Sequence, residues 1–342
     1  MLVRSRAPLR LGIAGGGTDV SPYSDTYGGC VLNATINMYA HCTIEIGEYL
    51  KRVSFAATDL NVSISYEINK PMEGGDSLQL HKAVYNRIVN QFCDGQYFPV
   101  SVTTWCDAPP GSGLGSSSTV VVAIVEAFKQ ALNLPLGEYD VAQLAYDIER
   151  IDCNLAGGKQ DQYAATFGGF NFIEFYDKNR VIVNPLRIRH YIMNELEESL
   201  ILFYTGASRD SANIISDQIN AIDDKSGSPL EAMHEVKKAA FKMKEFLLRG
   251  DINSLLIEFK DSWNAKKRTS KSISNSMIDA IEDLVINAGA KSIKVSGAGG
   301  GGFMMIFVDP VKKSDVERAL QDQYGQVYRV QFTSEGCSSW TI

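Results

Sequence analysis

An α+β chain folded as two domains is the architecture this sequence predicts, and three observations carry it. At 342 residues the chain exceeds one typical compact core. Strand-like and helix-like stretches are mixed throughout, and in the second half their order fits a sheet with helices on one side. The texture also changes near residue 185, which sets the expected domains at 1–185 and 186–342.

In chain order, Leu2–Arg6 and Arg10–Ala14 read as two strands around a Pro-containing turn, followed by Gly15-Gly16-Gly17-Thr18-Asp19. Cys30–Ile46 alternates loosely, and Val53–Ala57 and Val62–Tyr66 continue the β pattern with Asp59 and Asn61 at the turn. Leu80, Val84, Ile88, Val89 and Phe92 recur at helical spacing. Pro99–Trp105 is a strand that leads into Pro109–Thr119. The helix after it runs to about Leu132 and is apolar all round in its first turns, so it should be buried. Asp140 with Gln143 has the form of a capping box, which puts Glu149 on a helix beside its buried face. Gly168-Gly169 is a turn before the strand Phe170–Phe175. Beyond residue 185, Leu200–Tyr204, Lys291–Ser296, Phe303–Val308 and Val327–Phe332 read as strands. Ser211–Ile222, Glu231–Leu248, Ile252–Lys266, Met277–Ala288 and Ser314–Gln323 read as helices, with Asp224–Pro229 as a polar linker.

Composition narrows the function. Hydrophobic residues make up 45% and charged residues 21%, as in ordinary globular proteins. No run approaches the roughly 20 apolar residues that cross a bilayer, and the first residues lack the apolar core of a signal peptide. A cytoplasmic protein with no membrane partner is expected. The formal charge of −7 argues against nucleic-acid binding. The six cysteines and four histidines are scattered without a C-x-x-C pair, so neither a zinc site nor a Cys–His nucleophile has support.

Three glycine-rich loops remain, near residues 15, 113 and 300. Pro109 to Thr119 runs into a helix start, where unpaired N–H groups and the positive end of the dipole favour an anion, foremost phosphate. A glycine turn with a serine cap would have the same look. Gly297, Gly299 and Gly302 spell a dinucleotide fingerprint, but a strand follows where a helix is required. No Walker A loop occurs. Three such loops together suggest one ligand enclosed from several sides. Phosphoryl transfer needs a metal, donors around the transferring group and a residue that orients the attacking hydroxyl. Glu149 and a serine of 116–118 are hard-oxygen candidates for Mg²⁺, and Asp161, close to Lys159, suits the hydroxyl.

These stretches resemble the three signature motifs of the GHMP kinases (galactokinase, homoserine kinase, mevalonate kinase and phosphomevalonate kinase). The first is Pro8 to Asp19, the second Pro110 to Ser118 in the form P-x-G-x-G-L-G-S-S, and the third Lys294 to Gly302. The resemblance implies an N-terminal domain like ribosomal protein S5 domain 2, a ferredoxin-like C-terminal domain, and ATP with Mg²⁺ between them. It implies that Pro110, Gly111, Ser112, Gly113, Leu114, Gly115, Ser116, Ser117 and Ser118 wrap the nucleotide phosphates. Ser117 and Glu149 match the metal ligands, Asp161 the catalytic aspartate, and Arg10 the basic residue near it.

Substrate contacts are expected from Gly16, Gly17, Thr18 and Asp19, with Gly299 and Gly300 of the third motif. Galactokinases carry Glu-His where this chain has Gly16-Gly17, which tells against galactose. Ala14–Asp19 with Gly158–Gln162 is most similar to the branch that phosphorylates C1 of D-glycero-D-manno-heptose 7-phosphate, and the L-fucokinase branch shares much of the pattern. A phosphorylated sugar needs further cations. Lys159, Arg209 and the Lys266-Lys267-Arg268 cluster are candidates, although three basic residues at a helix end also fit a solvated terminus matched to the dipole. A non-catalytic sensor would have no need of Ser117, Glu149 and Asp161 together. The expected partners are ATP and a small sugar phosphate, with the chain a monomer or homodimer.

Overall fold

The computed structural model describes residues 1–68, 71–72, 77–177, 179–206, 211–223 and 227–342. Its elements in order are β1 (Leu2–Ala14), α1 (Tyr23–Tyr27), β2 (Gly29–Glu45), β3 (Arg52–Ala57), β4 (Val62–Glu67), α2 (Gln79–Phe92), β5 (Val100–Cys106), α3 (Ser116–Leu132), α4 (Glu138–Asp147), α5 (Gln160–Phe167), β6 (Phe170–Phe175) and β7 (Val181–Pro185). There follow α6 (His190–Ser199), β8 (Leu200–Tyr204), α7 (Ser211–Asp223), α8 (Gly227–Arg249), α9 (Ile252–Lys267), α10 (Ser276–Asn287), β9 (Ala290–Val295), β10 (Phe303–Val308), α11 (Lys313–Leu320), β11 (Gln326–Tyr328) and β12 (Ser338–Thr341). None of the described helices is long and apolar enough to cross a membrane.

Two sheets result. The first has the order β12-β1-β2-β5-β3-β4, with β6 and β7 continuing from the near end of β2. β2 can serve both neighbours because it is long: Gly29–Ala34 pair with β6 and Ala40–Glu45 with β5. The second sheet, β11-β8-β10-β9, is antiparallel throughout. The last strand, β12, leaves the second half of the chain and pairs with β1, from Val3–Thr341 to Arg6–Ser338.

Burial explains these elements. α3 carries three consecutive valines, poor helix formers because their χ1 is restricted. Tertiary burial overrides that preference: Val121 to Phe128 lie almost wholly inside, packed with Val3, Ile44, Phe55 and Ile88. β10 is apolar along its length because both faces are covered. Met304 and Ile306 pack with Trp263, Ile278 and Ile281, while Phe303, Met305 and Phe307 face Leu9, Leu11, Leu202 and Phe259. That second group draws on both sheets, so the two halves share a core.

Four expectations need correction. The first two strands are one, because Pro8 sits at a register shift (Pro8 opposite Tyr39, Arg10 opposite Thr35) where its missing N–H is tolerated. The α4 cap lies one turn earlier: the Asp140 carboxylate accepts the Gly137 N–H at 2.8 Å, and Gln143 donates to Asp147. Gly227–Pro229 belong to the first turn of α8, while 224–226 lie outside the described residues. The final strand of the second sheet stops at Tyr328, and Phe332 makes only an isolated bridge to Ile36.

The second loop is wedged between the sheets. Its Leu114 carbonyl accepts the Arg10 N–H at 3.1 Å and its Ser112 carbonyl accepts the Phe303 N–H at 2.9 Å. Gly113 makes the contact with the third loop possible. It holds φ +80°, and a Cβ there would stand 2.5 Å from the Ser296 carbonyl oxygen. Gly113→Ala should therefore destabilise the protein by roughly 1–3 kcal/mol. A thermal unfolding midpoint equal to that of the unmodified protein would show that the loops can separate without loss.

Candidate active site

All three glycine loops open onto one cleft of about 260 Å³, lined also by the Leu155–Gly158 segment, α5, α7 and the end of α9. α3 enters from Gly115, its N-cap, so Ser116, Ser117 and Ser118 present the first helical turn to the cleft. An apolar groove of about 350 Å³ adjoins it, sharing Gly111, Ser116 and Ser117 and lined by Leu60, Leu78, His81 and Val120. His81 is buried there with its Nε2 2.8 Å from the Thr104 hydroxyl, and burial lowers its pKa to about 4.

Arg10 is the hub. Its Nε and Nη2 both stand 2.8 Å from Asp161 Oδ1, and its Nη1 donates to the Gly113 carbonyl and, at 3.3 Å, to Ser296 Oγ. One guanidinium thus ties β1, both later loops and α5 together. Both Arg10 bonds fall on Oδ1. Asp161 Oδ2 lies against Gly115, where a Cβ would stand 3.2 Å from it.

Two further carboxylates flank Asp161. Glu149 lies in a single wide helical turn, Ile148–Asp152, that ends α4. Its Oε1 accepts the Ser117 hydroxyl at 3.2 Å, and its Oε2 is bonded by the Gln162 amide, which also reaches Ser118 Oγ at 3.1 Å. Burial raises the Glu149 pKa, against the opposing effects of Arg150, Ser118 and Gln162. Asp19 accepts from the Gly17 N–H, the Gln160 N–H and Gln160 Nε2, each at 3.1 Å. Its pKa is raised first by burial and then by the Asp161 charge. Gly158 makes room for it, since a Cβ there would stand 1.9 Å from Asp19 Oδ2.

Cations answer these acids. Lys266, near the end of α9, is buried, donates to the Gly297 carbonyl at 2.7 Å and lines the cleft. Burial lowers its pKa to about 8 even though Asp19 opposes the shift. Its neighbours are surface partners, Lys267 of Glu282 at 3.1 Å and Arg268 of Glu235. A solvated terminus therefore describes two members of the cluster, and Lys266 is the exception. Lys294 spans the sheets, donating to the Gly12 and Ile13 carbonyls at 2.8 and 2.9 Å, and burial pushes its pKa well down.

Of the residues expected from sequence, Arg10, Gly17, Asp19, Gly111, Gly113, Gly115, Ser116, Ser117, Ser118, Glu149 and Asp161 line the cleft. Gly16 is not among the lining residues, although a Cβ there would stand 3.4 Å from Lys266 Nζ and 3.9 Å from Gln160 Nε2. Pro110 lines the adjoining groove. Ser112 and Leu114 are buried behind the loop and contribute backbone only. Thr18 turns inward, its hydroxyl 2.8 Å from the Gly15 and Cys30 carbonyls. Lys159 is buried outside the cleft, 3.9 Å from Asp25. Gly299 and Gly300 pack back on Ile273 and Asn275, while Gly297 and Ala298 face the cleft. Arg209 lies outside the described residues. Sequence reasoning missed Arg150, Gln160, Leu155–Gly157, Ile215 and Gln218. Arg150 and Gln160 adjoin singled-out acids and could have been weighed on that ground; nothing in the sequence points to α7.

Comparison with known proteins shows the family. Residues 79–169 match the GHMP kinases N terminal domain, and residues 243–326 match GHMP kinases C terminal. The chain is 48% identical over 340 residues to a D-glycero-alpha-D-manno-heptose 7-phosphate kinase of Campylobacter jejuni, covering 99% of each chain. It is 44% identical to a D-glycero-D-manno-heptose 1-phosphate kinase of known structure from Bacteroides thetaiotaomicron, with a TM-score of 0.85 and 99% of each chain covered. A bifunctional fucokinase/GDP-fucose pyrophosphorylase of Arabidopsis thaliana is 24% identical over 93% of this chain and 31% of its own. With both halves matched and whole-chain identity near one half, this chain belongs to the GHMP kinases.

Proposed function

We propose that this enzyme transfers the γ-phosphoryl group of ATP to the anomeric hydroxyl of D-glycero-D-manno-heptose 7-phosphate, giving heptose 1,7-bisphosphate for the making of GDP-activated heptose. The observation that carries the reaction type is the Arg10–Asp161 pair, set between the start of α3 and the Asp19 wall. The substrate rests on the 48% identity to the C. jejuni kinase.

In this reading the α3 start and the second loop hold the ATP phosphates, and the apolar groove beside them takes the nucleoside. Gly17 and Asp19 face the sugar. Arg10 occupies one oxygen of Asp161, which leaves Oδ2 to accept the hydroxyl proton. The sugar oxygen forms its bond to the γ-phosphorus as the bond to the β-phosphate oxygen breaks, and ADP leaves with that electron pair. Positioning and preset charge supply the acceleration. Ser117 and Glu149 are a hard-oxygen pair 3.2 Å apart, of the kind Mg²⁺ takes beside phosphates. Mg²⁺ held there would offset phosphate charge. A division near residue 185, with β12 returned to the first sheet, sets the second loop and the third in different halves. Action in the cytoplasm, as a monomer or homodimer, fits a kinase that uses ATP and a sugar phosphate.

A coupled ADP-release assay across heptose 7-phosphate, unphosphorylated heptose and L-fucose tests the substrate. Heptose 7-phosphate should give the highest kcat/KM, and preference for either free sugar would overturn that assignment. Asp161→Asn should lower kcat by about 10²–10⁴-fold while ATP affinity, read by calorimetry, stays near that of the unmodified enzyme. An unchanged kcat would remove Asp161 from the chemistry. Lys266 titrates near pH 8 and is charged below it. Its charge faces Asp19 and Asp161, so kcat/KM should fall as pH rises through about 8. Lys266→Arg keeps the charge and should move that alkaline limb upward; an unmoved limb would assign it to another group.

A further inference from the structure

We propose that the Arg150 guanidinium clamps the phosphoryl group in transit. The assignment rests on the kinase reading of the cleft but not on which sugar is used.

Arg150 follows Glu149 in the wide turn Ile148–Asp152, and both side chains reach the cleft. Such turns recur at functional sites because they re-aim neighbouring side chains. The guanidinium is largely enclosed, with the side chain 14% exposed. Nη1 donates to the Leu155 carbonyl and Nη2 to the Gly158 carbonyl, each at 3.3 Å, and Nη1 is 4.0 Å from Glu149 Oε1. Nε is buried without a partner. A guanidinium carries five N–H donors, so two long bonds to carbonyls leave it under-used. The backbone is shaped to it, since a Cβ on Gly157 would stand 2.3 Å from Nη2.

Its place matches the path of transfer. On one side is Glu149, bonded to Ser117 at the helix start. On the other is Gly158, packed against Asp19 on the sugar wall. Among the described residues, the other cations lining the cleft are committed elsewhere. Arg10 is spent on Asp161, Gly113 and Ser296, and Lys266 on Gly297 beside Asp19. As the bond from sugar oxygen to phosphorus forms and the bond to the β-phosphate oxygen breaks, charge spreads over the equatorial and leaving oxygens. Arg150 holds unused, desolvated donors where that charge appears, and a fork of N–H groups suits it better than an ammonium.

The test uses Arg150→Gln and Arg150→Lys in the full chain with Mg²⁺ present. Calorimetry measures ADP binding with and without tetrafluoroaluminate, which imitates the phosphoryl group in flight, so no sugar is needed. Both variants should bind ADP within about threefold of the unmodified enzyme yet lose the added affinity that tetrafluoroaluminate confers. In the turnover assay, with whichever sugar is accepted, kcat should fall by about 10²-fold or more, and guanidinium ion should restore part of it to Arg150→Ala. The proposal is overturned if tetrafluoroaluminate still tightens ADP binding in both variants. It is also overturned if ADP alone weakens as much as the mimic complex, which would make Arg150 a staple for the 155–158 loop. A sugar panel that excludes heptose 7-phosphate would sink the substrate reading and leave this result standing.

Discussion

A buried arginine is stable only if its charge and its donors are met, because removing it from water costs several kcal/mol. Arg10 meets that demand with Asp161 on one side and with Gly113 and Ser296 on the other. The consequence is structural before it is chemical. Ser296, 286 positions along the chain, is drawn onto the Arg10 guanidinium, and the Asp161 carboxylate is fixed with one oxygen committed. The cleft is organised by this ion pair, which engages Oδ1 of Asp161 and not Oδ2.

The glycines act with Arg10 rather than beside it. Gly113 and Gly297 let two backbones approach until a Cβ on either would touch the other loop. Gly157 and Gly158 do the same for Arg150 and Asp19. Room for close backbone approach and for charged side chains is thus gained by removing Cβ atoms. The polar groups that line this room are bonded to backbone and to one another, so they are fixed before any ligand arrives. Such fixed dipoles need little reorganisation during transfer.

Much of the fold was legible because burial leaves periodic traces. α2, α3, β6 and β10 stand close to where their apolar patterns set them. Misreadings gathered where tertiary contact overrules local chemistry. Pro8 looked like a turn because its missing N–H is visible in the sequence, whereas the register shift that accommodates it is not. Lys266 looked like its neighbours because three basic residues in a row carry no sign of which faces inward. Thr18 and Lys159 sat in the right motifs, yet their side chains satisfy Gly15, Cys30 and Asp25.

By itself the sequence determined the reaction class and the backbone of the site, since glycine spacing, a serine run and a helix start are local features of a contiguous chain. Only the tertiary structure decided which charges share the cleft. Whether a lysine or an arginine meets solvent, a carbonyl or a carboxylate depends on residues distant in sequence, and the desolvation that sets its charge exists only once those residues pack around it. Arg10 and Lys266 are the two cases, each held by neighbours from another part of the chain, whereas the carbonyls that meet Arg150 come from the segment just after it.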